Sequence, residues 1–218
     1  MKVTAFVPVK LNNERLPGKN TKPFSNGRPL IDYILSSLIK VNNIDDIYVY
    51  CSDPSIKEYL PDGIKFLQRS KDLDSDTTKI NEVMQSFMND VDSDFYVLTH
   101  ATAPFIKSET IEKSVDALIV EGHDSALTVE RKNEFLWLAG KAFNYDPTSI
   151  PRTQDLDPFF IETTGLYAYS KELVQASRRI GNNPKLIEVD RIEAVDINEP
   201  IDFHIANALV SSDLIKDL

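Results

Sequence analysis

VTAFVPVKLNNERLPGKN, residues 3–20, decides the fold because an apolar strand passes directly into a polar, glycine-containing loop. VTAFVPV is apolar almost throughout, as is typical of strands buried on both faces of a parallel sheet. The loop behind it carries Lys10, Arg15 and Lys19, and its Asn and Gly residues permit turns that aim backbone N–H groups inward. This pattern predicts a phosphate cradle after the first strand, although it matches neither GxxxxGKS/T nor GxGxxG. A solvated basic turn is the alternative.

Apolar runs and amphipathic segments alternate along the rest of the chain. Further strands are predicted near 46–52, 94–101, 125–129 and 165–170. Helices are predicted at 29–41, 79–91, 109–122 and 170–181. This alternation predicts the α/β class, with a Rossmann-like, doubly wound, mostly parallel sheet that binds ligands at the carboxyl ends of its strands. Residues 1–218 are predicted to form a single domain.

A stretch at about residues 130–165 interrupts this alternation and is rich in proline and aromatic residues. Its aromatic side chains are Phe135, Trp137, Phe143, Tyr145, Phe159 and Phe160. A loop of this length inside a compact domain is usually a lid, an insertion or an oligomer contact, and interfaces favour aromatic residues. We therefore predict an inserted arm that forms a homodimer. The alternative is that these aromatics fill the domain's own core.

Charge and composition narrow the classes of partner and the compartment. The formal net charge of −10, from 34 acidic and 24 basic residues, argues against nucleic acid or an anionic membrane as the main partner. The single cysteine, Cys51, lies in an apolar run, and no apolar stretch approaches the roughly 20 residues that span a bilayer. These features, and an N-terminus unlike a signal peptide, predict a cytoplasmic protein.

A candidate metal ligand lies late in the chain, in EAVDIN, residues 193–198. We interpret this segment as a short strand that ends at Asp196, with Asn198 on the same strand face. Mg²⁺ prefers one or two carboxylates together with phosphate oxygens and waters, so Asp196 is a candidate magnesium ligand and neutral Asn198 a weaker one. Alternatively, Asp196 caps a helix that begins near residues 199–200. Asp202, in the first turn of that helix, suits the helix dipole better than a metal.

Five segments, in the same order, resemble the cytidylyltransferases that activate sialic acid and related nonulosonic acids. They are RLPGKN followed by KPFSNGRPLIDYIL (15–35), RSKDLDSDTTKI (69–80), LTHATAPFIKSETI (98–111), PRTQDL with TTGLYAYS (151–170), and AVDINEPIDFHIANAL (194–209). The resemblance implies a nucleotide-diphospho-sugar transferase type of fold and a homodimer whose arm covers the partner's active site. It also implies CTP and an acidic sugar as substrates, Mg²⁺ as cofactor, and a place in surface-polysaccharide synthesis.

The resemblance also assigns roles to residues. The implied catalytic residues are Lys10, Lys19 and Asp196, and the implied metal ligands are Asp196 and Asn198. The implied nucleotide-binding residues are Lys10, Leu11, Asn12, Arg15, Lys19, Asn20, Arg69, Ser75, Asp76 and Thr77. The implied acceptor-binding residues are His100, Thr102, Arg152, Gln154 and Thr164. The alternative for Arg69 is a surface ion pair with Asp72 or Asp74, and for Arg152 an exposed position on the arm.

We predict transfer of CMP from CTP to sialic acid or a related nonulosonic acid, with release of pyrophosphate. Several positions depart from the family pattern, namely Lys10 to Asn13 where an Arg followed by Gly or Ser is usual, His100 for Gln, Thr164 for Asn and Asn198 for Asp. These departures keep open a 3-deoxy-octulosonate or a phosphonate as the acceptor, or an inactive nucleotide-binding homologue. A glycosyltransferase is a further alternative, because Asp72 and Asp74 have DxD spacing.

Overall fold

Seven strands form one sheet in the computed structural model, which describes residues 1–215. The strands of the chain are β1 (Val3–Val9), β2 (Asp46–Cys51), β3 (Lys65–Gln68), β4 (Phe95–Thr99), β5 (Ser125–Lys132), β6 (Trp137–Leu138), β7 (Lys141–Ala142), β8 (Phe159–Ser170) and β9 (Pro184–Val189). The sheet order is β3-β2-β1-β4-β8-β5-β9, and only β8 runs antiparallel to its neighbours. The predicted α/β, mostly parallel sheet is thus confirmed.

Helices cover both faces of this sheet, as the doubly wound prediction requires. They are α1 (Leu30–Ile39), α2 (Ile80–Asp90), α3 (Ser108–Ile119), α4 (Lys171–Gln175) and α5 (Pro200–Val210). One buried apolar cluster lies under α1, α3 and α5, and a second lies under α2 and α4. Across the described part of the chain, every helix is too short or too polar to cross a membrane.

Strand β1 lies at the centre because its side chains supply both clusters. Ala5 and Val7 belong to the cluster under α1 and α3, whereas Phe6 stacks on Phe87 of α2 with ring centroids 4.1 Å apart. The chain adds β2 and β3 on one side of β1 and then crosses to add β4 on the other. The loops after β1 and β4 therefore leave the sheet next to a point where strand order reverses, which is where α/β sheets bind ligands.

The arm comprises residues 133–158, between β5 and β8. It is shorter than the predicted 130–165 because both flanking strands extend into that range. The β6–β7 hairpin is its main regular element. Trp137 and Phe143 are 63% and 64% exposed, so these two aromatics do not fill the domain's own core.

Three local predictions are corrected by the structure. The helix predicted at 170–181 ends at Gln175, because Ser177 takes a left-handed conformation with φ 57°. EAVDIN is not a strand, and its residues lie in a turn and an extended loop before α5. Strands β3 and β9 were not predicted, and both form edges of the sheet.

Candidate active site

A cavity of about 620 Å³ opens at the carboxyl ends of β1 and β4. Its walls come from the loop after β1 (residues 10–20), the segment 69–78 after β3, the start of α2, and His100. Of the residues predicted for the site, it brings together Lys10, Arg15, Lys19, Arg69, Ser75, Asp76 and His100. Four of these seven are lysine or arginine, so the cavity concentrates positive charge in an otherwise acidic protein.

The loop after β1 is held in shape from within. The Asn20 side-chain amide donates to the carbonyl oxygen of Lys10 at 2.9 Å, which closes the loop across its base. Gly18 has φ 66°, a conformation that glycine adopts without steric cost, and the chain then enters a short 3₁₀ turn at residues 19–21. Asn20 is buried, so it acts on the loop backbone and does not line the cavity.

Lys19 joins this loop to the loop that carries Asp196. Its ammonium donates to the carbonyl oxygen of Ile197 at 3.0 Å, and the residue is buried. Burial lowers the pKa of Lys19, and the nearby carboxylate of Asp196 partly opposes that effect. A desolvated ammonium beside a carboxylate suits the neutralisation of phosphate charge, because electrostatic interactions are stronger where water is excluded.

Lys10 is paired with the segment after β3. Its ammonium contacts the Asp76 carboxylate at 2.5 Å and the carbonyl oxygen of Asp74 at 3.3 Å. The bond from Lys10 lowers the pKa of Asp76, while the hydrogen bond with Asp76 raises the pKa of the neighbouring Glu14 carboxyl. An anionic ligand would therefore compete with Asp76 for Lys10.

Arg69 is a buried cation on the cavity wall, with only 4% of its side chain exposed. Its Nη2 donates to Asp74 at 2.7 Å, and the Ser52 hydroxyl donates to the other oxygen of Asp74 at 2.5 Å. The expected ion pair with Asp74 therefore forms, but it is not a surface pair. The Nε–H of Arg69 is buried and has no hydrogen-bond partner within residues 1–215, while the residue itself lines the cavity.

Asp196 lies on a loop, residues 190–199, that several contacts fix in place. The Ile197 amide donates to the carbonyl oxygen of Thr102 at 2.8 Å, and the buried Glu193 carboxylate accepts from Thr110 at the start of α3. The side-chain amide of Asn198 donates to the Asp196 carboxylate at 2.6 Å, so the two side chains are in contact although the segment is not a strand. Asp196 itself lies beside Lys19 and His100.

The start of α5 shows which residue caps this helix and what Asp202 contacts. The N-cap is Glu199, not Asp196. Asp202 accepts from the backbone amides of Asn198 and Glu199, at 2.9 and 2.7 Å, as expected for a first-turn carboxylate. Arg15 contacts Glu199 at 3.2 Å and the Asn198 side-chain oxygen at 3.4 Å. Asp196 is thus left free of a capping role.

The side chains around Asp196 fit a Mg²⁺ ion that takes most of its ligands from the nucleotide. Within residues 1–215, no group of three or more His, Cys, Asp or Glu side chains is placed to hold a metal. One carboxylate with a neutral amide beside it is a small protein contribution. Such a small protein contribution suits Mg²⁺, because this ion commonly keeps waters and takes phosphate oxygens in addition to one or two carboxylates.

Thr164 is the strained residue of the site. Between Leu127 and Val129, the partner strand β8 contains a bulge that includes Thr164, whose φ is 57°. A β-branched residue in this conformation is an outlier, and such strain is concentrated at functional sites. The Thr164 hydroxyl lies 3.4 Å from Asp196. The following Gly165 is required for packing, since a Cβ there would come within 3.0 Å of Ala103.

His100 is held neutral. Burial lowers its pKa to about 4, and Asp196 opposes that shift only in part. Its imidazole makes no hydrogen bond to any side chain or backbone group in the described chain, although it lines the cavity. A neutral imidazole that faces a cavity without a protein partner is available to hydrogen-bond a ligand hydroxyl.

The remaining predicted site residues lie off the cavity. Leu11 packs on the core, Asn12 is exposed, the Thr77 hydroxyl contacts Ser75, and Thr102 contributes its backbone carbonyl to the 190–199 loop. Arg152 and Gln154 lie on the arm. The Arg152 side chain is 72% exposed and binds Asp155 through two nitrogens, at 2.7 and 2.8 Å. Within one chain, then, Arg152 does not reach the cavity.

Three polar residues that line the cavity are absent from the predicted site residues, namely Asn13, Glu14 and Thr78. Asn13 has a buried side-chain oxygen with no partner in residues 1–215. Asn13 and Glu14 belong to the loop after β1, and Thr78 directly follows the predicted Ser75–Thr77 turn, so their positions in these segments were the available signal. From the sequence, Asp74 is an alternative ion-pair partner of Arg69 and half of a DxD spacing, whereas in the structure it orients Arg69 at the cavity wall.

Several curated proteins resemble this chain in sequence at low identity. The chain is 24% identical to N-acylneuraminate cytidylyltransferase A of Danio rerio, over 95% of this chain but only 50% of that protein. It is 24% identical to 8-amino-3,8-dideoxy-manno-octulosonate cytidylyltransferase of Shewanella frigidimarina, over 92% and 89% of the two chains. It is 25% identical to CMP-N,N'-diacetyllegionaminic acid synthase of Legionella pneumophila, over 96% and 97%.

Solved structures show the same fold. A CMP:2-keto-3-deoxy-manno-octonic acid synthetase complexed with CTP superposes with a TM-score of 0.71 at 17% identity, covering 97% of this chain and 99% of that one. A 4-diphosphocytidyl-2C-methyl-D-erythritol synthase from Anaerococcus prevotii gives a TM-score of 0.65 at 14% identity, covering 97% and 96%.

The family assignment comes from the match of a whole-domain pattern. The family model described as cytidylyltransferase matches residues 4–190, which include both cavity segments, His100, the arm and β8. With that match spanning most of its 218 residues, the chain belongs to the cytidylyltransferase family.

Proposed function

We propose that the protein transfers CMP from CTP to a sugar acid and releases pyrophosphate. The observation that carries this is the cavity itself, where three cations of the loop after β1 and the buried Arg69 of the segment after β3 meet at the carboxyl edge of the sheet. Asp196 lies beside one of these cations, Lys19. Relatives named for N-acylneuraminate, N,N'-diacetyllegionaminate and 8-amino-3,8-dideoxy-manno-octulosonate support an acidic sugar of this size as the acceptor.

The chain's own residues would act by positioning and by neutralising charge. Lys10 and Lys19 would bind the triphosphate, with Lys10 leaving Asp76 as the phosphates enter. Arg69, held by Asp74, would contribute its positive charge at the nucleotide end of the cavity. A hydroxyl of the acceptor would then form a bond to the α-phosphorus as the bond to the β-phosphate oxygen breaks. Phosphoryl transfer needs little else from the protein.

Mg²⁺ is part of this proposal, with Asp196 as its protein ligand and Asn198 as a weaker neighbour. Bound there, the ion would neutralise charge on the phosphates of CTP. His100, which is neutral at physiological pH, would hydrogen-bond the acceptor hydroxyl. Thr164 would keep the 3.4 Å contact between its hydroxyl and the Asp196 carboxylate.

A homodimer completes the proposal. The exposed Trp137 and Phe143 on the arm are unusual for a solvent loop, and aromatic residues are enriched in interfaces. Arg152, which does not line its own cavity, would then exchange Asp155 for a place at the partner's cavity. Sedimentation of the wild-type protein and of Trp137→Ser with Phe143→Ser tests this, and a wild-type monomer at micromolar concentration would exclude it.

The decisive experiment measures pyrophosphate release with CTP, Mg²⁺ and a panel of acceptors. The panel contains N-acetylneuraminate, a legionaminate, 3-deoxy-manno-octulosonate, its 8-amino analogue and a phosphonate, with UTP and ATP as nucleotide controls. We expect release with CTP and one sugar acid, and its loss in Asp196→Ala. Asp62→Asn, an exposed turn residue, is the matched control. Release with the phosphonate alone would overturn the sugar assignment, and CTP binding without release would indicate an inactive homologue.

A further inference from the structure

A second polar cluster lies beside the cavity on the antiparallel strand β8. It consists of Glu162 and Tyr167 from β8 and Arg179 from the segment after α4. The Tyr167 hydroxyl donates to Glu162, and Arg179 Nη2 donates to the same carboxylate oxygen at 3.0 Å. The Arg179 guanidinium also lies over the Tyr167 ring, 4.2 Å from its centroid. Two contacts of different kinds therefore fix the plane and position of the guanidinium.

The register of the sheet places this cluster on the same face as the cavity. Tyr167 pairs with Leu98 of β4 on one side and with Leu127 of β5 on the other. All three side chains belong to the buried cluster under α2 and α4. His100, which lines the cavity, is two residues beyond Leu98. Along the carboxyl edge of the sheet, Arg69 follows β3, His100 follows β4, and this cluster lies on β8. The cluster is therefore at the end of the site that is farther from the segment after β3.

The position of Arg179 depends on the early end of α4. Ser177, left-handed at φ 57°, stops the helix, and the Arg178 amide donates back to the Leu173 carbonyl at 2.8 Å. Two side chains of α2 hold this turn, because Asn81 donates to the Ser177 carbonyl and Gln85 to its hydroxyl, at 2.7 and 2.6 Å. The turn then directs Arg179 towards β8 while Arg178 stays exposed.

Arg179 keeps donors for a ligand. Within residues 1–215, only its Nη2 is bonded, to Glu162, and 28% of the side chain is exposed. A planar guanidinium with unused N–H groups binds a carboxylate in a bidentate geometry. Arg152 contrasts with this, because its Nε and Nη2 both already bind Asp155 and it lies on the arm. Burial is the main cause of the lowered pKa of His100, and the positive charge of Arg179 adds to it, so the guanidinium lies near this cavity residue.

We propose that Arg179, positioned by Glu162 and Tyr167, binds the carboxylate of the acid acceptor and selects acids over neutral sugars. This inference rests on the proposed function, since it names the residue of this chain that recognises the acid. Arg179 is a substrate-binding residue, and Glu162 and Tyr167 are positioning residues. Recognition of the acceptor carboxylate is thereby assigned to Arg179, which lies in the same chain as the cavity, rather than to Arg152.

The test compares the free acid with its C1 carboxamide for whichever sugar acid of the panel turns over best. KM and kcat are measured for both acceptors at saturating CTP in the wild type, Arg179→Gln, Arg179→Lys and Arg152→Gln. Arg178→Gln is the matched control, because this neighbouring arginine is exposed and its side chain hydrogen-bonds Asn182, away from Glu162 and Tyr167. A thermal melt and the KM for CTP report on whether each variant keeps its fold and its nucleotide site.

We expect Arg179→Gln to raise the KM for the free acid by roughly 10- to 100-fold, while the KM values for the carboxamide and for CTP change less than about twofold. Arg179→Lys should keep part of the acid preference, and it serves as the test if Arg179→Gln melts below the assay temperature. Retention of the full preference in both variants, or its loss in Arg152→Gln alone, would overturn the role of Arg179. No release by the wild type with any acid would instead overturn the proposed function and this inference together.

Discussion

The Lys19 ammonium and the carbonyl oxygen of Ile197 lie 3.0 Å apart, so the loop after β1 is tied directly to the loop that carries Asp196. The two residues are far apart in the sequence, and this contact brings their loops together beside the cavity. A cation and a candidate metal ligand therefore share one rigid wall, which requires little rearrangement when the phosphates bind.

Lys19→Met should abolish most activity while leaving the fold intact. The substitution keeps the apolar stem that is buried and removes the charge that would meet the triphosphate. Loss of one charge-stabilising donor typically lowers kcat by about 10²- to 10³-fold. Steady-state pyrophosphate release measures this, with Lys113→Met on the exposed face of α3 as control. A kcat within fivefold of the wild type would exclude Lys19 from the reaction.

Asn198→Asp should tighten the dependence on magnesium. A second carboxylate beside Asp196 adds negative charge where Mg²⁺ would bind, and it removes the 2.6 Å amide bond to Asp196. We expect the Mg²⁺ concentration for half-maximal rate to fall several-fold. Titration of the rate with Mg²⁺ at fixed CTP measures it, and isothermal titration calorimetry with Mg²⁺ in place of turnover provides an independent readout. An unchanged Mg²⁺ requirement would place the metal elsewhere.

Asp74→Asn should weaken CTP binding and stability together. Asp74 orients the buried Arg69, and removing one charge of a buried pair costs about 3–5 kcal/mol when the other charge is left unpaired. Since Asn keeps one hydrogen bond, we expect the free energy of unfolding to fall by about 2–3 kcal/mol and the KM for CTP to rise about tenfold. Urea denaturation and CTP titration measure these two quantities. Asp72→Asn, exposed in the same turn, should change neither.

His100→Gln should remove a pH dependence of stability. The folded-state pKa is about 4, against about 6.5 in the unfolded chain, so between these values the unfolded state binds a proton that the folded state does not. His100 therefore lowers the free energy of unfolding as pH falls from 7 to 5, by about 1–2 kcal/mol. Urea denaturation of wild type and variant at both pH values measures the difference. Parallel losses in the two proteins would contradict the pKa of His100.

Much of the sheet is predictable because its strands bury both faces. β1 and β4 are apolar in sequence and buried in the structure, and the loop after β1 follows from its polar residues. β3 escaped prediction because it has only four residues, with Lys65 and Gln68 exposed at its ends. EAVDIN is predicted as a strand, and Glu193 and Ile197 are indeed buried. Their burial comes from contacts with α3 and Lys19, however, and not from pairing with another strand.

The candidate site is less predictable where long-range contacts decide a side chain's position. The three- and four-residue spacing of apolar residues placed Arg179 in a helix. The left-handed Ser177, held by Asn81 and Gln85 from another helix, releases it from that helix. Similarly, the pairing of Asp74 with Arg69 looks from sequence like a surface contact. Only the fold shows that Ser52 and the cavity wall bury it.

The reversed direction of β8 also bears on how this protein can change over evolution. β5 ends and β8 begins at the same edge of the sheet, so residues 133–158 leave and re-enter the domain beside the cavity. Insertions, deletions or exchanges in that segment would alter what lies at this edge without shifting the register of any strand of the seven-stranded sheet. The chain thus separates the sheet that carries the cavity from a segment that can be exchanged, and grafting arms from relatives named for other acceptors tests whether the arm sets specificity.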